Sequence, residues 1–139
     1  DLDTFRAYVL THNLMHGCAM ADGLGLPSPF EPGHAALVWP FLCHALPLML
    51  HEDAGLEGTI ALEVEGCFSA ALVLEDGTAR VEDAAPGPVD CHLSADPLTF
   101  FRVVLRMDAV DDAVRRGALR LSGPRPELGA QLSDHLEVP

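Results

Sequence analysis

The hydrophobic period of this chain changes at Gly58, and that change limits the folds open to it more than any short motif does. Before Gly58, apolar residues recur at helical spacing. After it, Ile60, Leu62 and Val64 alternate with Thr59, Ala61, Glu63 and Glu65, the pattern of a strand with one wet face. Helices first and strands later place the chain in the α+β class. Its 139 residues are 49% apolar with a mean hydropathy of +0.22, enough to bury a core.

Two helices are expected first. Asp3 reads as the N-cap of a helix over residues 4–22 that ends at Gly23 and Gly25. At 100° per residue its polar positions Arg6, Asn13 and Gly17 share one narrow stripe, and Phe5, Tyr8, Val9, Leu10, Leu14, Met15, Cys18 and Met20 occupy the rest. A helix that is apolar nearly all round is surrounded by protein. The pattern therefore predicts cover from outside the α/β part, most simply a homodimer through the first helix. A turn-rich spacer over residues 26–33 leads to a second helix over 34–51, bent near Pro40 and Pro47.

Strands are expected from Gly58, at 68–75, at 78–82 after an Asp76-Gly77 hairpin turn, at 89–94 and at 118–122. Asp96-Pro97 caps a helix running to about Arg106, Asp108 caps a short one ending at Gly117, and a last helix covers 126–136. The organisation is a first helix (1–26), a linker with a connecting helix (27–57) and an α/β unit (58–139).

Charge removes whole classes of function. Twenty-one acids face eight Arg and no Lys, a net charge of −13. Binding nucleic acid or an anionic membrane needs clustered cations in excess, so neither fits. No run of 18 apolar residues is long enough to span a membrane, and the acidic start Asp1-Leu2-Asp3 is no signal peptide. Cys18, Cys43, Cys67 and Cys91 lack CxxC spacing and read as the thiols of a cytoplasmic protein. A chain that opens on Asp1 instead of Met reads as a piece or processed product of something longer. No catalytic Ser/His/Asp order and no Gly-rich phosphate loop stands out.

The stretch from Leu93 to Leu136 resembles the C-terminal half of the sterol carrier protein type two superfamily. The features are Ser94-Ala95-Asp96-Pro97, a helix centred on Phe100-Phe101-Arg102, then Asp112-Ala113-Val114 before Gly117, then Leu119-Arg120-Leu121-Ser122-Gly123. The resemblance implies a five-stranded mixed sheet with helices largely on one face, preceded here by two helices, and an apolar tunnel for a small hydrophobic molecule. His12-Asn13-Leu14-Met15-His16-Gly17 with Ala21-Asp22-Gly23-Leu24-Gly25-Leu26-Pro27 is similar to a helix of actinobacterial mycothiol-dependent maleylpyruvate-isomerase-like proteins, which join a DinB-like bundle to a sterol-carrier-like domain. In that alignment His12 stands at a metal-ligand Glu, His16 at a metal-ligand His, and Ala19 where an Asp usually follows. This second resemblance implies Zn²⁺ or another divalent metal, and mycothiol, for the intact family. A stand-alone hydrophobic-ligand carrier without catalysis is the alternative.

Two sets of candidate residues result. His12 and His16 share one helix face and can offer two imidazoles to one metal, or serve as a hydrogen-bonded pair. His34, His44 and His51 of the second helix would complete a site if the helices pair. Phe68, Leu72, Phe101, Val104, Leu105 and Leu119 would line a ligand cavity, and would serve equally in an ordinary core.

Overall fold

The structure is a computed structural model describing residues 1–51 and 54–137. Asp1 caps the first helix, α1 (Leu2–Leu24), its carboxylate accepting from the Thr4 amide at 2.8 Å. Asp3, expected as the cap, instead pairs with Arg6 one turn on. At the other end Gly25 takes the left-handed conformation (φ 66°) that closes a helix C-terminus. The second helix, α2 (His34–Met49), holds both Pro40 and Pro47, which leave the carbonyls of Ala36 and Cys43 without their usual amide donors. It stops two residues before the expected His51, because Leu50 turns extended and bridges to Leu136.

Alternation in β1 (Gly58–Val64) sets the sheet. Ile60, Leu62 and Val64 form the core face, and the neighbours continue it in register. Leu72 and Ala70 of β2 (Phe68–Glu75) oppose Ile60 and Leu62, and Val81 of β3 (Thr78–Glu82) opposes Leu72. On the other side β4 (Cys91–Ala95) runs parallel to β1, aligning Leu93 with Leu62. After α3 (Pro97–Val104) and α4 (Val110–Arg115), β5 (Leu119–Ser122) pairs antiparallel with β4, and α5 (Glu127–Asp134) follows. The strand order is β3-β2-β1-β4-β5, a mixed five-stranded sheet. The opposite face carries Glu63, Ser69, Arg80 and Arg120, and an Arg120–Glu65 ion pair at 2.6 Å.

Local chemistry fixes the turns. Asp76 and Gly77 have φ of 53° and 73°, the paired left-handed conformation of a two-residue hairpin turn, whose twist matches that of the strands. Asp96 caps α3 with both carboxylate oxygens, on the Thr99 amide (3.0 Å) and hydroxyl (2.6 Å), with Pro97 at the first helical position. Strand β4 begins two residues later than the alternation suggests, because Asp90 is engaged otherwise. Its amide donates to the Thr59 carbonyl and its carboxylate accepts from the Thr59 amide, both at 2.9 Å. Asp108 does not cap α4; Ala109 sits at the cap, and the Asp108 carboxylate is held by Arg102.

The core runs unbroken from α1 to α5. Leu14 and Cys18 of α1, Val38, Leu42 and Leu46 of α2, and Phe100, Leu128 and Leu132 of α3 and α5 meet the sheet in one cluster. The helix expected to be covered all round is covered on one stripe only. Ala7, Thr11, Leu14, Cys18 and Ala21 are buried, α2 being the main neighbour, whereas Leu2, Phe5, Met20 and Leu24 stand exposed. Each large side chain left in water forgoes about 1.5–3 kcal/mol relative to burial.

Candidate ligand-binding site

Between the core face of the sheet and helices α3 and α5 lies a cavity of about 30 Å³. Leu62, Leu72 and Leu93 form its floor. Phe100, Val103 and Val104 come from α3, Leu132 and Gly129 from α5, and Leu46 reaches in from α2. Leu119, Val110 and Leu136 close the ends, and Ser133 is the one hydroxyl-bearing side chain in the wall. A cavity this size holds a water or two at most, against roughly 300–1,000 Å³ for a ligand pocket. The space is shaped and apolar, but narrow. Filling it with an acyl chain requires α5 or the segment after it to move outward.

A short polar seam holds the Leu136 side of the site in place. Leu136 pairs with Leu50, the Glu137 amide donates to the Met49 carbonyl (2.8 Å) and the His51 amide to the His135 carbonyl (3.1 Å). His51 Nε2 and Glu137 Oε1 lie 3.3 Å apart at the surface. Arg106 donates from Nη1 to the Leu136 carbonyl at 2.6 Å. Arg106 holds φ at 57°, where glycine is the cheaper residue. It also lines a polar recess of about 160 Å³ between α4 and α5, with Asp108, Asp111 and Asp134. Val110 and Ser133 belong to both recess and apolar cavity, so the two adjoin.

Of the residues picked from sequence, Leu72, Val104 and Leu119 line the cavity. Phe68 stands at its edge, stacked on Trp39 with ring centroids 4.2 Å apart and edge-on to Phe100 at 5.9 Å. Phe101 is buried against Phe30 at 4.7 Å, and Leu105 is buried without lining the cavity. The selection missed Leu46, Leu62, Leu93 and Leu136. Leu62 was signalled by the β1 alternation and Leu46 by its spacing from Val38 and Leu42. Leu136 was signalled by its spacing from Leu128 and Leu132, although it lies past the end of α5.

The ionisable groups nearby are committed to structure. Arg102 Nε and Nη2 bind Asp108 at 2.9 and 3.0 Å, and Nη2 also reaches Asp22 of α1 at 2.7 Å. These bonds hold the Asp108 carboxyl below the usual carboxylate range. Burial, then Asp83, pushes the Cys43 thiol up to about 11, and burial also raises Cys91. Neither thiol is poised as a nucleophile at neutral pH.

His12 and His16 project from exposed positions on α1 with ring centroids 4.5 Å apart. Among the described residues, no group of three His, Cys, Asp or Glu side chains gathers around them or elsewhere. The histidines of α2 and its end are engaged locally: His34 accepts from the Glu31 amide, His44 donates to the Pro40 carbonyl, and His51 faces Glu137.

A family model described as the SCP-2 sterol transfer family matches residues 49–137, well over half the chain. The chain belongs to that family. The SCP-2 match starts at the last residue of α2 and takes in the whole sheet, α3, α4 and α5. A solved UbiJ-SCP2 ubiquinone synthesis protein is similar at 23% identity and a TM-score of 0.51, covering 76% of this chain and 97% of that one. The sec-alkylsulfatase Pisa1 from Pseudomonas sp. is similar at 18% identity and a TM-score of 0.59, over 87% of this chain and 20% of its own. The chain thus spans about a fifth of the sulfatase, and the overlap extends beyond the SCP-2 segment into the N-terminal helices. Apo sterol carrier protein 2 from Yarrowia lipolytica is similar at 14% identity and a TM-score of 0.50, over 78% and 96%. At these identities the likeness establishes the fold. No curated protein matches the chain. Among the described residues no helix is long and apolar enough to cross a membrane.

Proposed function

We propose that this SCP-2 domain binds one small hydrophobic molecule, its apolar part taking the place of the cavity under α3 and α5. The observation that supports the reading most is the cavity wall: twelve of its thirteen residues, Ser133 excepted, offer no polar side chain. The wall is closed at Leu136 by a few polar contacts. Such a site discriminates by shape and apolar area, with polar selection left to the adjoining recess. Thermal unfolding with and without palmitate, set against acetate as a control without an acyl chain, tests the reading. A ligand that binds only the folded state raises stability by about 2.7 kcal/mol at a hundred times its Kd. Palmitate raising Tm while acetate does not is the expected result, and no shift with either overturns it.

The finer reading, a portion of a mycothiol-dependent maleylpyruvate-isomerase-like protein with a thiol-conjugated ligand, draws support from the α1 motif and from the two imidazoles on its exposed face. The apolar cavity does not fit a sugar-bearing thiol. The recess beside Arg106, with its three acids, is the polar volume next to it. Mycothiol conjugates binding to the chain, with loss on Arg106→Gly, would support this reading, and their failure to bind would remove it.

A further inference from the structure

The chain holds 21 acids and eight Arg, so a carboxylate is easily found for each guanidinium. Seven of the eight have one at 3.9 Å or less. Arg106 has none among the described residues, and it is the arginine beside the apolar cavity. Its side chain makes one hydrogen bond there, from Nη1 to the Leu136 carbonyl at 2.6 Å. Leu136 is itself part of the cavity wall, so the guanidinium stands next to the apolar space. Nothing in the backbone calls for Arg at this position. At φ 57° glycine or asparagine would be less strained.

The bond to Leu136 leaves the better part of the group unused. An Arg side chain offers five N–H donors, and Nε with one Nη forms the fork that fits the two oxygens of a carboxylate. Arg102, four residues earlier, shows that grip in this same chain: its Nε and Nη2 hold the two oxygens of Asp108 at 2.9 and 3.0 Å. The same edge of Arg106 has no acceptor among the described residues, and the residue is exposed on the recess of about 160 Å³.

Three acids share that recess and bear on the charge of what can enter it. Asp108 is spent on Arg102 and Arg116. Asp111 and Asp134 are exposed, so water and salt weaken their repulsion, whereas an oxyanion on the fork is in direct contact. Their repulsion grows with each added charge, which favours a monoanion over a dianion. We propose that Arg106 reads the polar end of the ligand. The site takes an amphipathic acid whose apolar part fills the cavity and whose singly charged carboxylate sits on the Nε–Nη2 edge of Arg106. Val110 and Ser133, which line both spaces, mark the passage between them. The proposal rests on the hydrophobic-ligand reading and adds to it a choice of head group.

Calorimetric titration at neutral pH with laurate, dodecanol and dodecylamine, which share one alkyl chain, is the test. Charge-assisted bonds at a partly exposed site put the expected preference for laurate over dodecanol at about tenfold, with dodecylamine the weakest. In Arg106→Asn, where asparagine tolerates the left-handed backbone, that ratio should fall to near one. A looser Leu136 seam in the variant acts on both ligands and cancels in the ratio. Arg106→Lys, which keeps the charge without the fork, should retain only part of the preference. Laurate and dodecanol binding alike to the wild type, or dodecylamine binding tightest, leaves the apolar site in place and overturns the role of Arg106. A laurate preference that survives Arg106→Asn overturns it as well. Binding of none of the three removes the hydrophobic-ligand reading and the proposal with it.

Discussion

Shortening Leu132 to Ala probes the cavity from the side that must move. Leu132 is 6% exposed and points from α5 into a void that is already about 30 Å³. The substitution removes roughly 75 Å³ of side chain; if none of that space collapses, the cavity term at ~24 cal/mol per Å³ is about 1.8 kcal/mol. Adding the lost transfer energy of the buried atoms, about 2 kcal/mol, gives about 4 kcal/mol, inside the range that buried Leu→Ala changes show. Urea unfolding followed by Trp39 fluorescence is a direct assay, since the ring stacks on Phe68 at the cavity edge. The midpoint should fall with little change in slope. The enlarged space of roughly 100 Å³, lined by Leu and Phe, approaches the size at which a dry cavity accepts a benzene-sized molecule. Toluene should therefore recover part of the loss in Leu132→Ala and do little for the wild type. A loss under about 1 kcal/mol would refute the packing of α5 on this wall, and a full loss with no toluene rescue would refute the cavity itself.

Gly58→Ala meets two obstacles, φ of 135° and a Cβ position 2.9 Å from both Asp90 Oδ2 and Leu128 Cδ2, so unfolding should show a loss of at least about 2 kcal/mol. Asp108, its folded-state pKa depressed, contributes stability above the ordinary value of 3.8 and loses it as pH falls through the lowered one. Asp108→Asn should therefore lower the urea midpoint at pH 7 and flatten its decline in acid; an unchanged acid limb would show that the Arg102 pair contributes nothing. Arg106→Gly relieves the left-handed strain but frees the Leu136 carbonyl, so global stability should stay within about 1 kcal/mol. Hydrogen exchange at the Glu137 amide should nevertheless speed up, and unaltered exchange there would deny Arg106 a role in holding the site shut.

Much of the fold was legible because its signals are local. Alternation in β1, the Asp76-Gly77 pair and the Asp96-Pro97 cap each depend on residues within a few positions of one another, and each stands as expected. Element starts failed where a distant partner took the local side chain, as Arg102 takes Asp108 before α4 and Thr59 takes Asp90 before β4. The site was half legible for a related reason. Leu72, Val104 and Leu119 carry the period of their own elements, but whether a buried residue lines a void or fills it depends on how three layers meet. Phe101 reads like Phe100 in sequence, and one step of 100° along α3 turns it from the cavity to Phe30. Leu136 continues the spacing of Leu128 and Leu132, but its partners Leu50 and Arg106 lie far away in the chain, where no period reaches.

Contacts between ¹³C-labelled palmitate and the protein's side-chain protons, measured by NMR at one ligand per chain, test the binding site most directly. The account predicts acyl-chain contacts to Leu62, Leu93, Phe100 and Leu132, with altered amide signals at Leu136 and Glu137 where the site must open. Contacts confined to Phe5, Val9 and Met20 on the exposed face of α1, with the cavity residues unperturbed, would contradict it.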